Sequence, residues 1–366
     1  MKIALLLQHY FPYGGLQRDC FKMSLRLVAH GHDVSIATRS WEGGEPEGVT
    51  VVELGNNGLS NMAMDKRYDR DVSSWLKKEG FACVVGFSRL ATAMDFYYAA
   101  DPCYDVRIRR NKPFWYRFTP RYRHSYRLEK HLFSQGAKVK LLLLTAMEIP
   151  DYQRIYNTEI SRMLVLPPCI QKRDLSFEGK LSLRQEVRVS EEWCDESVVL
   201  FVGSGYATKG LDRAIHACAV NQCQLYVAGA GKTHQYQALA KKLGIDDRVH
   251  FLGGRDDAWK LMVGADLLIH PARSENTGTV LLEAISAGTG VLCTDRCGFA
   301  NHVDASASGC VLPSPFNQGA LNTALTELLT ESWEDRMKSA LNYASSEDLY
   351  TGMESAVSYI DTFSRH

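Results

Sequence analysis

The segment from residue 270 to residue 284 carries the residue types that point most directly to chemistry. Its sequence, HPARSENTGTVLLEA, places Glu275 and Glu283 eight positions apart, where a strand pattern gives way to a helix pattern. The small polar residues between them leave backbone N–H groups at the helix start accessible to an anionic or hydroxyl-rich ligand. A glutamate on the following helix can accept hydrogen bonds from hydroxyl groups. The segment therefore favours binding of a sugar nucleotide.

The same two glutamates could instead be the acid and the nucleophile of a glycosidase. If both lay on one helix, eight residues would separate them by about 12 Å. Hydrolase carboxylates lie closer together, roughly 5–9.5 Å apart. We therefore expect separate hydrogen-bonding roles for Glu275 and Glu283, with two ordinary surface glutamates as the alternative.

Two glycine-containing loops follow predicted strands. Gly14 and Gly15 open a helix pattern that runs to about Ala29, so bare N–H groups face a ligand above the sheet, although a glycine pair can also simply permit a tight turn. In the second half, a loop containing Gly203 leads to Lys209 at a predicted helix start. Glycine N–H groups, a helix dipole and one positive charge would suit a diphosphate, although the pattern is not a P-loop. The alternative is a surface lysine, which is disfavoured because a cation at a helix start opposes the dipole.

Asp101 follows the apolar strand pattern 94–100, where the carboxyl end of a strand should point towards a ligand site. Its carboxylate could orient an acceptor hydroxyl group. It could equally cap the next helix, and the sequence leaves the two roles open.

The window from Tyr104 to Phe133 is strongly basic. It contains nine Lys/Arg and two acidic residues, a net charge of about +7, in a chain whose formal net charge is zero. Seven aromatic residues at 104, 114, 115, 116, 118, 122 and 126 are interleaved with the charges. We expect a helix that docks on an anionic membrane surface. Nucleic-acid binding would also suit arginines and aromatics, but no nucleic-acid module is recognisable, and a solvated charged helix is the remaining alternative.

Composition indicates a folded enzyme-sized chain that does not cross a membrane. With 366 residues and 45% hydrophobic residues, the chain is long enough for two globular domains. No apolar run reaches the roughly 18–20 residues of a membrane-spanning helix. The apolar start, residues 1–7, is predicted to be a buried strand rather than a signal peptide, so we expect a cytoplasmic protein. Ten scattered cysteines without a C-x-x-C pair predict reduced thiols and no metal site.

Short apolar runs alternate with helix patterns through both halves, which predicts an α/β fold with parallel sheets covered by helices on both faces. The strand candidates are 2–8, 33–38, 49–54, 82–87, 94–99, 139–145, 163–166, 197–202, 223–228, 249–252, 266–270, 290–294 and 309–312. The pair Pro167-Pro168 marks a boundary between two doubly wound, Rossmann-like domains, 1–168 and 169–347. Residues 348–366 are predicted to contain a helix that packs back on the first domain, and we expect the ligand in the interdomain cleft.

Stretches over nearly the whole chain resemble the family 4 retaining glycosyltransferases of the GT-B fold, in which two Rossmann-like domains face each other. These stretches are 11–19, 41–43, 121–124, 166–168, the loop at 209–210, the E-x7-E motif at 275–283, and 348–350. The E-x7-E motif is typical of the broad family. Residues 11–19 and 121–124 resemble, more narrowly, the lipopolysaccharide core glucosyltransferases that act on inner-core heptose.

The resemblance implies UDP-glucose as donor and a phosphorylated, lipid-linked heptose core as acceptor, at the anionic inner face of the cytoplasmic membrane, without a metal or nucleic acid. The implied catalytic residues are Lys209, Asp19, Asp101 and Glu275. The implied donor-binding residues are Gly14, Gly15, Gly203, Ser204, Thr208, Lys209, Asn276, Thr277, Gly278, Thr279 and Glu283. The implied membrane- and acceptor-binding residues are Arg117, Arg121, Arg123, Arg127, Trp115 and Tyr116.

Within the donor site, the resemblance implies that Glu283 holds the ribose hydroxyls and Glu275 the glucose. Relatives often have an arginine where this chain has Ser204 or Thr208, and Arg255 or Arg273 could supply the missing charge. The implied reaction is a front-face displacement in which charge on the leaving diphosphate is stabilised. The alternatives are transfer of another UDP-hexose, a UDP-sugar epimerase, and a non-enzymatic membrane-surface scaffold.

Overall fold

The computed structural model describes residues 1–12, 14–55, 60–193 and 197–363. Tyr13, within the stretch 11–19, and Cys194 therefore lie outside the described residues. The chain divides into two compact units. The first contains Met1–Pro167 together with the C-terminal segment that begins at Thr351, and the second is Pro168–Tyr350.

The first unit is built on a parallel sheet of seven strands in the order β5-β3-β1-β6-β7-β8-β9. Its strands are β1 (Lys2–Leu6), β2 (His9–Tyr10), β3 (Asp33–Thr38), β4 (Ser40–Trp41), β5 (Val49–Glu53), β6 (Cys83–Gly86), β7 (Phe96–Ala99), β8 (Lys140–Leu143) and β9 (Met163–Val165). The short strands β2 and β4 pair separately. Its helices are α1 (Gly15–Ala29), α2 (Asn61–Glu79), α3 (Tyr104–Asn111), α4 (Pro120–Phe133), α5 (Ile149–Tyr156) and the C-terminal α15 (Gly352–Phe363).

The second unit is built on a parallel sheet of six strands in the order β12-β11-β10-β13-β14-β15. Its strands are β10 (Val198–Val202), β11 (Gln224–Ala228), β12 (Val249–Gly253), β13 (Leu267–His270), β14 (Gly290–Thr294) and β15 (Gly309–Leu312). Its helices are α6 (Phe177–Ser190), α7 (Tyr206–Lys209), α8 (Leu211–Val220), α9 (His234–Leu243), α10 (Ala258–Gly264), α11 (Thr279–Ala287), α12 (Ala300–Ala305), α13 (Gln318–Thr330) and α14 (Trp333–Ser346).

The continuous apolar runs arise because both faces of each sheet are covered. In β10, Val198 and Leu200 belong to one buried cluster, whereas Val199 and Phe201 belong to another. Since successive side chains of a strand point to opposite faces, a strand between two helical layers must be apolar at every position. The predicted parallel α/β fold is confirmed, and each predicted strand is present within two residues of its predicted bounds. The short β2 and β4 were not predicted.

The C-terminal helix α15 packs on α1. His30 Nδ1 lies 2.9 Å and His32 Nε2 2.5 Å from the carboxylate of Asp361. The ring of Phe363 contacts that of Phe96 edge to face, with 5.1 Å between centroids. The helix begins at Gly352, four residues later than the start of the predicted helical pattern.

A buried arginine fixes the C-terminal end of the basic helix α4. The guanidinium group of Arg162 donates hydrogen bonds of 2.9–3.2 Å to four carbonyl groups, those of Leu132, Phe133, Ser134 and Val139. The carbonyls of Leu132, Phe133 and Ser134 belong to the end of α4, where a helix leaves carbonyls without intrahelical partners, whereas Val139 directly precedes β8. Arg162 therefore joins the end of α4 to the segment that leads into β8.

Replacing Arg162 by methionine should destabilise the first unit by about 2–4 kcal/mol, because the carbonyls of Leu132 and Val139 would lose the donor that Arg162 provides. We expect the calorimetric unfolding temperature to fall by at least about 4 °C. Arg154→Met is a suitable control, since Arg154 is exposed and pairs with Asp151 on the same helix, at 2.6 Å. Equal effects of the two substitutions would contradict this role of Arg162.

Candidate functional site

The second unit brings Lys209, Glu275 and His270 together at the carboxyl ends of β10 and β13. Lys209 is the last residue of α7, and its ammonium group forms an ion pair with Glu275. His270, the last residue of β13, is completely buried, and its Nε2 lies 3.6 Å from Glu275 Oε2. The carboxylate of Glu275 is therefore held between an ammonium group and an imidazole, in the loop that leads to α11.

Burial and these contacts determine the protonation states of Glu275 and His270. Burial raises the pKa of Glu275, but the neighbouring His270 and Lys209 lower it more, and the resulting pKa is about 2. Burial lowers the pKa of His270, so this imidazole is neutral at pH 7. Glu275 is therefore an ionised acceptor of hydrogen bonds over the whole physiological pH range.

The helical separation predicted for Glu275 and Glu283 is wrong. Helix α11 begins at Thr279, four residues after Glu275. Glu275 lies in a loop, where its N–H donates to the Arg296 carbonyl at 2.9 Å. A carboxylate with a pKa of about 2 is not protonated near pH 7, so Glu275 cannot act there as the general acid of a glycosidase. Glu283 is exposed on α11.

The start of α11 is open to an anionic ligand. The N-cap is Gly278, with φ of 75°, and a glycine has no side chain with which to cap the first turn. Just before it, the carbonyl of Thr277 accepts a hydrogen bond from Phe299 at 2.7 Å, which anchors the loop. The hydroxyls of Thr277 and Thr279 lie 3.3 Å apart. Asn276 to Thr279 therefore form an anchored turn, and the backbone N–H groups at the helix start can donate hydrogen bonds to an anionic ligand.

Glycines create the space that Lys209 occupies. At Gly203, where φ is 138°, a Cβ atom would lie 2.5 Å from Lys209 Cδ. At Gly229, a Cβ atom would lie 2.4 Å from the carbonyl oxygen of Gly203. The loops after β10 and β11 are thus in close contact. The Lys209 side chain passes over the loop after β10 at Gly203, where a larger residue would collide with it.

The prediction that Lys209 stands at a helix start is wrong. Lys209 ends the one-turn helix α7, and Gly210, with φ of 79°, separates it from α8. A cation at a helix end agrees with the dipole. The ligand argument for Lys209 therefore depends on its pairing with Glu275 and on the adjacent glycine loop that contains Ser204.

The two arginines considered as substitutes for a missing cation already have carboxylate partners. The guanidinium group of Arg273 binds both carboxylate oxygens of Asp212, at 2.8 and 2.6 Å. The backbone N–H of Arg273 donates to the Thr208 carbonyl. Arg255 pairs with Glu191 at 2.6 Å and with Asp257 at 2.7 Å. Either guanidinium would have to leave these partners to bind a diphosphate.

In the first unit, the predicted residues Gly14, Gly15 and Asp19 lie at the start of α1. Gly14 is the extended N-cap, and Gly15 is the first helical residue. The carboxylate of Asp19 accepts a hydrogen bond of 3.0 Å from the hydroxyl of Tyr98, on β7. Burial raises the pKa of Asp19, although this hydrogen bond and nearby cations lower it in part.

A cavity of about 690 Å³ opens beside these elements and contains the predicted residue Asp101. Asp101 follows β7, as predicted, and its side chain is exposed to the cavity. Its backbone is held by the hydroxyl of Tyr152, which donates to the Asp101 carbonyl at 3.3 Å. The partly buried Arg89, which also lines the cavity, lies 3.2 Å from the fully buried Glu129. The sequence analysis assigned no role to Arg89 or Glu129, since neither belongs to a recognisable motif.

The basic window is not one helix but three pieces. Helix α3 is followed by a 3-10 helix, Phe114–Phe118, and then by α4. The aromatic side chains of the 3-10 helix project into solvent, with exposed fractions of 71% for Phe114, 65% for Trp115 and 59% for Phe118. Tyr116 and Arg117 are half-buried, whereas Arg121, Arg123 and Arg127 are exposed on α4.

The acidic residues of the same window are buried. Asp105 and Glu129 are both completely inaccessible. Glu129 accepts hydrogen bonds from the backbone N–H of Tyr104 at 2.7 Å and from the hydroxyl of Tyr156 at 2.6 Å. The exposed surface is therefore more basic than the sequence count suggests.

Within the described residues, no helix is long and apolar enough to span a membrane. In the same residues, no cluster of three His, Cys, Asp or Glu side chains has the arrangement of a metal site.

Comparison with known proteins identifies the family. Residues 184–346 match the family described as Glycosyl transferases group 1. The chain is 38% identical to the lipopolysaccharide glucosyltransferase WaaG of Escherichia coli (strain K12), over 98% of each chain. It belongs to the group 1 glycosyltransferases. The crystal structure of WaaG, a glycosyltransferase involved in lipopolysaccharide biosynthesis, has a TM-score of 0.89 over 98% of this chain and 99% of that one.

The glycosyltransferase therefore has the GT-B fold and is a hexosyltransferase, as predicted. The Anabaena protein Alr3699/HepE in complex with UDP-glucose is 16% identical, with a TM-score of 0.71 over 99% of each chain, and supports the fold alone. The family relationship excludes the non-enzymatic scaffold and the epimerase. The sequence analysis assigned no role to His270, although a histidine at the end of an otherwise apolar strand is a recognisable signal.

Replacing Gly203 by alanine should impair the glycosyltransferase by displacing Lys209. The new Cβ atom would lie 2.5 Å from Lys209 Cδ, at a backbone φ of 138° that an alanine rarely adopts. Because small displacements of a binding group can cost up to about 100-fold in rate, we expect turnover in a hexosyl-transfer assay to fall by at least about ten-fold. Gly205→Ala is the control, since its Cβ atom would meet open space. Similar turnover for the two variants would refute the steric argument.

Proposed function

We propose that this glycosyltransferase moves glucose from UDP-glucose to an inner-core heptose of lipopolysaccharide, with retention of configuration. The observation that carries the proposal is the ion pair between Lys209 and Glu275 beside the open start of α11. This arrangement places an exchangeable cation, a permanent carboxylate and backbone N–H donors in one site. A nucleotide sugar presents the complementary groups, a diphosphate and several hydroxyls.

In this proposal, the donor exchanges partners with the ion pair. Lys209 leaves Glu275 and binds the diphosphate, together with the N–H groups of the glycine loop and of the α11 start. Glu275, which remains ionised, then accepts hydrogen bonds from the glucose hydroxyls. Glu283, exposed on α11, binds the ribose hydroxyls. The partly buried cation is thus transferred to a second anion rather than left without a partner.

The proposed reaction is a front-face displacement in which UDP leaves from the side that the acceptor hydroxyl attacks. The main contribution of the protein is stabilisation of the negative charge that develops on the leaving diphosphate. Lys209 and the start of α11 supply this positive charge, so we propose that no metal ion is required. In the first unit, Asp101 and Asp19 would orient the acceptor and the reacting sugar.

We further propose that the glycosyltransferase works on the inner face of the cytoplasmic membrane, where a lipid-linked acceptor is accessible. The solvent-exposed Phe114, Trp115 and Phe118 lie next to arginines along α4. Aromatic side chains favour the interface of a bilayer, and each nearby cation contributes on the order of 1 kcal/mol towards an anionic surface.

Lys209→Ala should lower kcat for transfer from UDP-glucose to a heptose-containing core acceptor by about 100-fold or more, since one charge partner of the transition state is lost. The product is measured by its mass. Lys241→Ala, an exposed lysine on α9, is the matched control and should retain activity. The same assay with UDP-galactose and UDP-N-acetylglucosamine tests the donor sugar. Faster transfer from either of these would refute UDP-glucose, and near-normal turnover of Lys209→Ala would refute the role of the lysine.

Neutralising Arg117, Arg121, Arg123 and Arg127 together, each to glutamine, should abolish sedimentation with vesicles of anionic phospholipid. Binding of UDP, measured by calorimetry, should be unchanged, because none of the four substituted arginines is among the implied donor-binding residues. Vesicle binding that survives the four substitutions would disprove the membrane role of the window.

A further inference from the structure

The cations of the basic window fall into two sets. One set lines the 690 Å³ cavity of the first unit, and it consists of Arg107, Lys112 and Arg121. The other set, which includes Arg123 and Arg127, lies on the exposed side of α4 and does not line this cavity. If the cations served only to bind a membrane surface, we would expect all of them on the exposed side of the helices and none in a cavity.

Two of the three cavity cations of the basic window, Arg107 and Lys112, contact aromatic rings. The guanidinium of Arg107 lies 5.6 Å from the ring centre of Tyr104, and the ammonium of Lys112 lies 5.9 Å from that of Tyr116. Both rings also line the cavity. Contact with an aromatic face orients a cation and leaves its N–H donors available for an anion. On α3, by contrast, Arg109 is paired with the carboxylate of Asp105, at 2.7 Å.

The acidic groups at the cavity are mostly neutralised. Asp65 pairs with Arg39 at 2.8 Å, and the buried Glu129 pairs with the cavity residue Arg89 at 3.2 Å. Asp101 is the remaining carboxylate among the described residues of the lining. The cavity thus offers one carboxylate, which suits a neutral hydroxyl, and three cations that form no ion pair with a carboxylate of the described residues, which suit an anion.

We propose that this cavity binds an anionic group of the acceptor glycan, a phosphate monoester or a carboxylate, through Arg107, Lys112 and Arg121. The inference rests on the transfer reaction proposed above. Asp101 binds the acceptor through a hydroxyl group, and the three cations recognise the charge that the acceptor carries beside the reacting sugar. Arg123 and Arg127 contribute only to the outer surface. The basic window therefore combines substrate selection with membrane docking, on different sides of the same helices.

The test is the affinity of the full-length protein, without donor, for a lipid-free acidic core oligosaccharide, measured by calorimetry. Arg121→Gln should weaken this affinity by about ten-fold, the scale of one lost charge-assisted hydrogen bond. Arg123→Gln, an equally exposed arginine two positions along α4, should change it by less than about two-fold. Lys112→Gln repeats the test at the 3-10 side of the cavity, and thermal unfolding verifies that each variant is folded.

Two chemical treatments of the oligosaccharide identify the anion. Removing its phosphates or reducing its carboxyl groups should lower wild-type affinity to that of Arg121→Gln, and the treatment that does so names the group. The proposal is overturned if the wild type does not bind, if Arg121→Gln and Arg123→Gln lose equal affinity, or if neither treatment has an effect. It is also overturned if Arg121→Gln retains glycan affinity but loses binding to anionic vesicles, since the cavity would then hold a lipid headgroup. Intact, charge-dependent binding without glucose transfer would refute the proposed function alone.

Discussion

Covering of both sheets by helices is the constraint on which the rest of the structure depends. Because alternate residues of β10, such as Leu200 and Phe201, face different buried clusters, polar side chains are largely excluded from the strand interiors. Chemistry is therefore confined to the strand ends and the loops that follow them. Parallel strands place all their carboxyl ends at one edge, so residues far apart in sequence, such as Lys209 and Glu275, converge there.

The Lys209–Glu275 pair shows how this convergence creates a site. Each partner stabilises the charge of the other in a partly buried environment. The completely buried His270 lies 3.6 Å from the Glu275 carboxylate. Gly203 makes room for the lysine side chain. In the proposed function this pair exchanges partners, because an incoming diphosphate and sugar offer each charge a replacement. Binding can then proceed without leaving a desolvated charge unpaired.

The basic window shows how burial alters a charge pattern. Its two carboxylates, Asp105 and Glu129, are buried. Glu129 accepts hydrogen bonds from backbone N–H groups and from the Tyr156 hydroxyl, and Asp105 pairs with Arg109. The cations remain accessible, either at the cavity or on the outer surface. Arg107, Lys112 and Arg121 line the cavity, whereas Arg123 and Arg127 on α4 do not, so one basic segment presents two different surfaces.

By itself, the sequence determined the α/β class, the positions of the strands and the loops that carry the site, because apolar periodicity and glycine placement act locally. It also predicted that the segment around Glu275 and the Lys209 loop belong to one ligand site. Only the tertiary structure decided that Glu275 lies in a loop before α11, that Lys209 ends a short helix, and that these residues pair. These features depend on contacts across 66 positions of sequence, which local patterns do not encode. Burial of Glu129, and the division of the basic window, were decided in the same way, because they follow from packing between elements.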